Sequence, residues 1–517
     1  MKTYTDLLGY TAKIPEFRAI PLVSESSTNA FINAMSNKAY TENGALTNIS
    51  TQNALVDWFF HGAALRKETD ESRILNLFVN AFNYDKTLAL RTLFYIRDVR
   101  GGQGERKVFR ICLEYLGNVE KDWVCKNLGL IAEYGRYDDY MPLLLTACRD
   151  EVIDYIGMQL EKDLQHHFKG ELYDISLLAK WLPRTSVKNA EKRKWLNILL
   201  KSGKFGAIGA YRRALVLLRK DLDIVETKLV NKEYDKINHE NLPSYAAFKY
   251  RKAFFKNDSD KYNAYIEAVK EGKAKINAKT LYPYDLIRVY SDAYDFIGYG
   301  SHININPTVE AQWKALPDYV PEINGLVVCD TSGSMNGLPM AVSLSLAIYI
   351  AERNKSLVWR NYVIPFSCRA QWKIVKGNTL LDKIRSVFTG DCSNTDLQSV
   401  FDLILKRAIA EKVPDTDMPK QLIIISDMEF DEYAFGFTNY EGIKAKYEKA
   451  GYTLPKLIWW NVNSRSNQTP ITVNDKNNIL LSGCSPSVMK IALGENYDAL
   501  EATLKVINQE RYMQIVY

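Results

Sequence analysis

Apolar residues in the first 300 positions recur at helical spacing. Leu90, Leu93 and Phe94 follow i, i+3, i+4, and Val108, Phe109, Cys112, Leu113 and Leu116 follow i, i+1, i+4, i+5, i+8. Gly117 reads as the C-cap of the second of these helices. The same period returns over 126–134, 141–160, 173–182, 208–222, 224–236, 243–256 and 259–272. Alternating strand patterns are scarce there, and no exact repeat stands out. Many helices joined by short loops predict an all-α, HEAT-like helical repeat array.

Over residues 296–323 the period disappears amid Gly298, Gly300, Pro307, Pro317 and Pro321, which places a domain junction there. Beyond it, short apolar runs alternate with helical stretches. The runs are Gly325 to Asp330, Val358 to Phe366, Gln421 to Ser426, Lys456 to Val462 and Asn478 to Leu481. The helical stretches are Leu338 to Arg353, 394–411, 440–450, 486–493 and 498–510. Continuously apolar strands alternating with helices predict a parallel sheet covered on both faces, an α/β doubly wound, Rossmann-like domain. Such sheets bind ligands at the carboxyl ends of their strands. The expected division is an N-terminal extension over 1–26, a helical domain over 27–300, a linker over 301–321 and an α/β domain over 322–517.

Composition agrees with a multidomain reading, since 517 residues exceed what one hydrophobic core organises. A 47% apolar, 25% charged chain is ordinary globular protein. The longest near-apolar run, Ala341 to Ala351, falls well short of the roughly 20 residues of a membrane helix. The opening residues show no apolar h-region, so neither membrane nor secretory leader is expected. Seven scattered cysteines without a C-x-x-C pair argue against structural zinc and a disulfide framework. They point to free thiols in a reducing compartment, hence a cytoplasmic protein.

Charge sharpens the picture. Residues 1–300 hold 45 Lys+Arg against 38 Asp+Glu, whereas the remainder is nearly balanced. The excess peaks from Lys180 to Lys220, where twelve basic residues face the single acid Glu191. A surplus of this size attracts polyanions, although a charge run is equally often a solvated face.

Three segments deliver oxygen side chains to one edge of the predicted sheet. Asp330, Ser332 and Ser334 follow the first strand, Thr395 precedes a helix, and Asp427 follows the strand ending at Ser426. Two carboxylates and three hydroxyls, without sulfur or imidazole, suit a hard cation such as Mg²⁺ or Mn²⁺. Such an ion would keep an open position for an acidic group from a protein partner. No second aspartic-protease motif, no D-x-D phosphatase pattern and no nucleophile–base pair is visible, so no enzyme is expected. The order D-x-S-x-S, then Thr, then Asp resembles the metal-ion-dependent adhesion site of von Willebrand A domains over roughly 322–517. It is especially similar to the version in the Ro 60 kDa autoantigen. The resemblance implies that Ser332, Ser334 and Thr395 bind the ion directly and that Asp330 and Asp427 act partly through water.

Between two predicted helices, Arg97, Arg100, Arg106, Lys107 and Arg110 surround the turn Gly101-Gly102-Gln103-Gly104. Glycines there could expose backbone N–H groups to a phosphate, although the Walker pattern is absent. The plainer reading is a corner in which Asp98 and Glu105 pair with arginines. This stretch, with Tyr134-Gly135-Arg136-Tyr137-Asp138, Leu178 to Pro183, Leu242-Pro243-Ser244 and Ser482 to Pro486, resembles a family of unknown function in which a TROVE-like helical region precedes a von Willebrand A domain. The resemblance to the Ro 60 kDa protein implies binding of small structured RNA or single-stranded RNA ends, without catalysis. From composition, the candidate RNA contacts are Arg97, Arg100, Arg106, Lys107, Lys180, Arg184, Lys192, Arg193, Lys194, Arg212 and Arg213, with Trp181 and Trp195 as stacking platforms. Two functions remain open: a non-catalytic RNA-binding protein, or a metal-dependent protein–protein adaptor in which the basic face is incidental.

Overall fold

The computed structural model describes residues 37–291, 304–320, 324–356, 358–388, 390, 394–432, 438–492 and 498–517. The expected extension over 1–26 lies outside these residues, as do 296–303 and 321–323 of the junction. The chain is mostly helical and carries a six-stranded mixed sheet in its C-terminal part. No described helix is long and apolar enough to cross a membrane.

The helical part opens with α1 (Ala54–Gly62), α2 (Glu71–Tyr84), α3 (Lys86–Arg97) and α4 (Lys107–Val119). Asp85 joins α2 to α3: its backbone N–H bonds to Ala81 O at the end of α2, and its carboxylate caps Leu88 N at the start of α3. All of α3 from Ala89 to Arg97 is buried on every side, which makes it the central rod of this part. The stripe of Val108, Phe109, Cys112, Leu113 and Leu116 is buried as its spacing predicts. Gly117, however, does not end α4, which runs on to Val119. A Cβ there would come within 2.7 Å of Leu143 Cδ2 and Thr146 Oγ1, so the glycine permits close packing instead of a turn.

Further along come α5 (Arg149–Lys169), α6 (Ala190–Lys201), α7 (Ile208–Asp221), α8 (Ser244–Asn257), α9 (Ser259–Lys270) and α10 (Pro283–Ser291). Their lengths are uneven, from 21 residues in α5 to four in the short helix Leu178–Trp181 between α5 and α6. The expected linker is itself helical over α11 (Pro307–Lys314), where Val309 and Trp313 are buried. Gln312 there donates to Ser244 O and Asn277 O, tying this segment to α8.

The sheet runs in the order β5 (Lys373–Ile374), β4 (Tyr362–Phe366), β3 (Gly325–Asp330), β6 (Gln421–Ser426), β7 (Lys456–Asn461), β8 (Asn478–Ser482). All neighbours are parallel except β4 and β5. Side chains alternate between faces as strands require. Val327, Cys329, Ile423, Ile425, Ile458, Trp460, Ile479 and Leu481 enter a core shared with the helical part. Leu326, Val328, Ile364, Leu422, Ile424, Leu457, Trp459 and Leu480 enter a second core on the opposite face. α12 (Leu338–Arg353) lies in the first core, and α14 (Gln398–Glu411) and α15 (Asn439–Ala450) cover the second. The short α13 (Leu380–Val387), not foreseen in the sequence, packs beside α12.

The two parts exchange their ends. A hairpin of β1 (Lys38–Tyr40) and β2 (Leu46–Asn48) bridges to Asp431, Thr438 and Thr469 beside the sheet. α1 covers the edge strand β8, and Ser482 Oγ donates to Phe59 O at 2.6 Å. In return, after α16 (Ala499–Ile507), residues 508–517 run back onto the helical part. There Arg91 donates to Ile515 O and Trp123 Nε1 donates to Val516 O.

Candidate metal centre and basic surface

β3 and β6 lie side by side, so their ends bring Asp330 and Asp427 to the same corner of the sheet. Ser343, on α12, donates to the carbonyls of Asp330 and Ile425 and pins the two strand ends together. Asp330 is fully buried. Its Oδ1 accepts Ser332 N at 2.8 Å, and its Oδ2 accepts Ser426 Oγ at 2.6 Å. Ser332 and Ser334 lie with their hydroxyls 3.1 Å apart, and Ser334 is close enough to Asp427 to pull its carboxyl downward. Thr395 joins this corner through Asp431: Thr395 N donates to Asp431 Oδ2 at 3.1 Å and Asp431 N donates back to Thr395 O at 3.0 Å. Four of the five sequence-predicted ligands are thus linked by direct contact or charge, and Asp431 carries the fifth to the loop that follows Asp427.

The electrostatics of this corner are unfavourable as they stand. Burial pushes the Asp330 carboxyl well above the usual carboxylate range, and the neighbouring Asp427 charge pushes it further. Burial likewise raises Asp427, against the pull of the nearby Ser334. Asp427 Oδ2 is buried and accepts no hydrogen bond. Met428, the next residue, sits at φ +69°, a left-handed conformation a non-glycine residue rarely adopts. Glu429, also buried, adds a third carboxylate within two residues. An all-oxygen donor set, two crowded carboxylates and an orphaned acceptor fit a hard divalent cation held by Asp330, Ser332, Ser334, Thr395 and Asp427. Ser426, Glu429 and Asp431 escaped the sequence reading. The run Ser426-Asp427-Met428-Glu429 is their available signal, a second acid two positions past Asp427.

The Gly-rich turn is a packed corner. Its N–H groups are already taken: Gly102 and Gly104 donate to Asp98 O, Gln103 to Tyr95 O and Glu105 to Ile96 O. A Cβ on Gly102 would lie 1.9 Å from Tyr95 O, so that glycine allows the chain to fold back on α3. The N–H groups of Gly102, Gln103, Gly104 and Glu105 are therefore not free to cradle a phosphate, which favours the packed corner over the phosphate expectation. Asp98 and Glu105 do pair with arginines, but with Arg511 and Arg66.

The candidate RNA contacts divide sharply. Arg97 is 1% exposed, bonds Asp139 at 2.6 Å and cannot reach a nucleic acid. Lys107 is half-buried and donates to Glu68 O, and Lys180 is half-buried beside Glu226. Arg100 and Arg106 are exposed at the corner, with Arg100 bonded to Glu133 O. Arg184, Lys192, Arg193, Lys194, Arg212 and Arg213 are all exposed, most of them on the consecutive helices α6 and α7. Trp195 is 4% exposed and belongs to the core, so it offers no stacking face. Trp181 is half-buried with the Arg136 guanidinium 4.1 Å above its ring.

Residues 324–514 match a domain of unknown function (DUF7788), and residues 41–155 and 206–324 match another domain of unknown function (DUF2828). The two matches meet at residue 324, one position before β3. The gap from 156 to 205 contains α6, with Lys192, Arg193 and Lys194. The chain is also similar to an uncharacterized protein of Acanthamoeba polyphaga mimivirus, 27% identical over 514 residues, covering 92% of this chain and 88% of the relative.

Proposed function

We propose that the protein is a non-catalytic binding protein whose C-terminal part is a von Willebrand A-like domain holding Mg²⁺ or Mn²⁺, with an open position for a partner's acidic group. The observation that carries this reading is Asp427 Oδ2, a buried carboxylate oxygen without a hydrogen bond, next to the buried Asp330. A divalent ion would neutralise both. The helical part, read as a TROVE-like array, is the scaffold that this domain locks onto. Calorimetric titration of the full chain with Mn²⁺ tests the reading: one ion per chain is expected, and no uptake would overturn it.

A second reading, RNA binding as in the Ro 60 kDa resemblance, is favoured by a different observation. Lys192, Arg193 and Lys194 on α6 and Arg212 and Arg213 on α7 are exposed on neighbouring elements. These five, with the exposed Arg184, are accessible to phosphate, whereas Arg97 is buried, Lys107 is held to Glu68 O and Trp195 offers no stacking face. Nucleic acid crosslinked to the protein in its host, then sequenced, tests this reading.

A further inference from the structure

Among the described residues, Asp427 has a cation within 4 Å that the metal reading does not use. Arg465, in the loop after β7, reaches over the corner with Nη1 3.9 Å from Asp427 Oδ2. Its Nη2 lies 2.5 Å from Glu42 Oε2, in the turn of the β1–β2 hairpin. The separation from Asp427 is too long for a hydrogen bond, which is why that oxygen stays orphaned. Arg465 softens the charge of Asp427 without satisfying it.

We propose that Arg465 is a displaceable counter-ion that sets the affinity of this corner for divalent cations, and that Glu42 is the acceptor onto which it retreats. The proposal rests on the metal reading above. Hard divalent cations sit about 2.0–2.6 Å from carboxylate oxygen. A guanidinium within 4 Å of the same oxygen would then face the ion as a like charge, so uptake requires Arg465 to withdraw.

The surroundings allow that motion and little else. The loop backbone is fixed, because Arg73 donates to Ser464 O and Ser466 O and Ser466 Oγ donates to Glu429 Oε1. The Arg465 side chain is one-third exposed, whereas Asp427 is fully covered. Glu42 is itself anchored: its N–H donates to Glu429 Oε2 at 3.0 Å, Thr41 Oγ1 donates to Phe430 O, and Asn43 Nδ2 donates to Glu429 O. The guanidinium already pairs with Glu42 through one nitrogen while the other faces Asp427, so it can withdraw from Asp427 by turning fully onto Glu42. Because Glu42 arrives from the start of the chain, cation affinity at the sheet is coupled to whether the hairpin is docked.

The test is Mn²⁺ affinity of the full-length chain, measured by calorimetry in a double-substitution cycle. R465Q removes the competing charge and should tighten binding about tenfold. E42Q deprives Arg465 of its retreat and should weaken binding about threefold. Since Glu42 acts through Arg465, the double substitution should match R465Q alone. Unchanged or weaker binding in R465Q would overturn the proposal, as would an E42Q effect that persists in the double variant. Asp427→Asn separates the two claims: if the wild type binds Mn²⁺ and Asp427→Asn does not, the metal reading stands whatever Arg465 does. A wild type that takes up no Mn²⁺ takes both down.

Discussion

Arg511 grips Asp98 across 413 positions of chain, with Nε 2.5 Å from Oδ2 and Nη2 2.9 Å from Oδ1. Tyr512 donates its hydroxyl to the same carboxylate at 3.0 Å. The carboxylate is fully buried at the corner between α3 and α4, so this charged hydrogen-bond pair fastens the end of the chain to the helical part. Arg511→Ala leaves a buried carboxylate without its counter-charge, and about 3 kcal/mol of stability should be lost. A urea midpoint within error of the wild type would show that the tail is only loosely attached.

At the sheet corner, Asp427→Asn should act in two opposite ways. Without an ion it removes one of two crowded, desolvated carboxylates, so the melting temperature at neutral pH should rise by about 2 °C. With Mg²⁺ or Mn²⁺ added, the wild type should gain stability and the variant should not. Thermal melts with and without metal check both halves. A variant that loses stability in metal-free buffer would mean that the carboxylate has a structural partner. Asp330→Ala is the poorer probe, because Asp330 is buried and bonded to Ser332 and Ser426, and is no surface ligand.

Acid should weaken the protein through His61. Burial, helped by the positive charge of Arg73, lowers this imidazole to about 3 from its ordinary 6.5. A group with a depressed cationic pKa stabilises the fold fully above 6.5 and loses that contribution as pH falls toward 3. At pH 5 the loss from His61 alone is about 2 kcal/mol. Asp57 and Asp285, raised by burial to about 6, work in the opposite direction over pH 3.8–6, regaining stability as they protonate. Their effect is common to both proteins when His61→Asn is compared with the wild type. The drop in unfolding free energy between pH 7 and pH 5 should shrink by about 2 kcal/mol in the variant; an equal drop in both would exclude His61 as its source.

For RNA, the expected signature is salt dependence. Five phosphate contacts to a single strand would give a slope of log affinity against log salt of roughly −3.5. Reversing Lys192, Arg193 and Lys194 to Glu should flatten that slope and weaken many sequences alike. Full affinity in the triple variant at physiological salt would leave α6 as a solvated face.

The strands were readable because buried parallel strands must be apolar throughout. The runs ending at Asp330, Ser426, Val462 and Leu481 therefore stand out against their helical neighbours, and the strands end within one residue of each. The apolar run Val358 to Phe366 is longer than its strand, since Asn361 at φ +65° ends a turn before β4 begins. The candidate ligands Asp330, Ser332, Ser334, Thr395 and Asp427 are visible in sequence because each lies at a strand end or just before a helix. Arg465 and Glu42 were invisible, being neither periodic nor near the motif in sequence; only the fold brings them to Asp427. Arg97 shows the converse limit. Composition counts a charge but does not reveal Asp139 waiting 42 positions later.

The exchanged ends also set an order in time. At synthesis rates of about 5–20 residues per second, Asp98 leaves the ribosome roughly 20–80 s before Arg511 is made. For most of that interval α1 has no β8 to cover, and throughout it the seat of residues 508–517 stands open. The helical part is thus made before the segment that completes it, and a stop codon ahead of Arg511 should yield chains that chaperones retain.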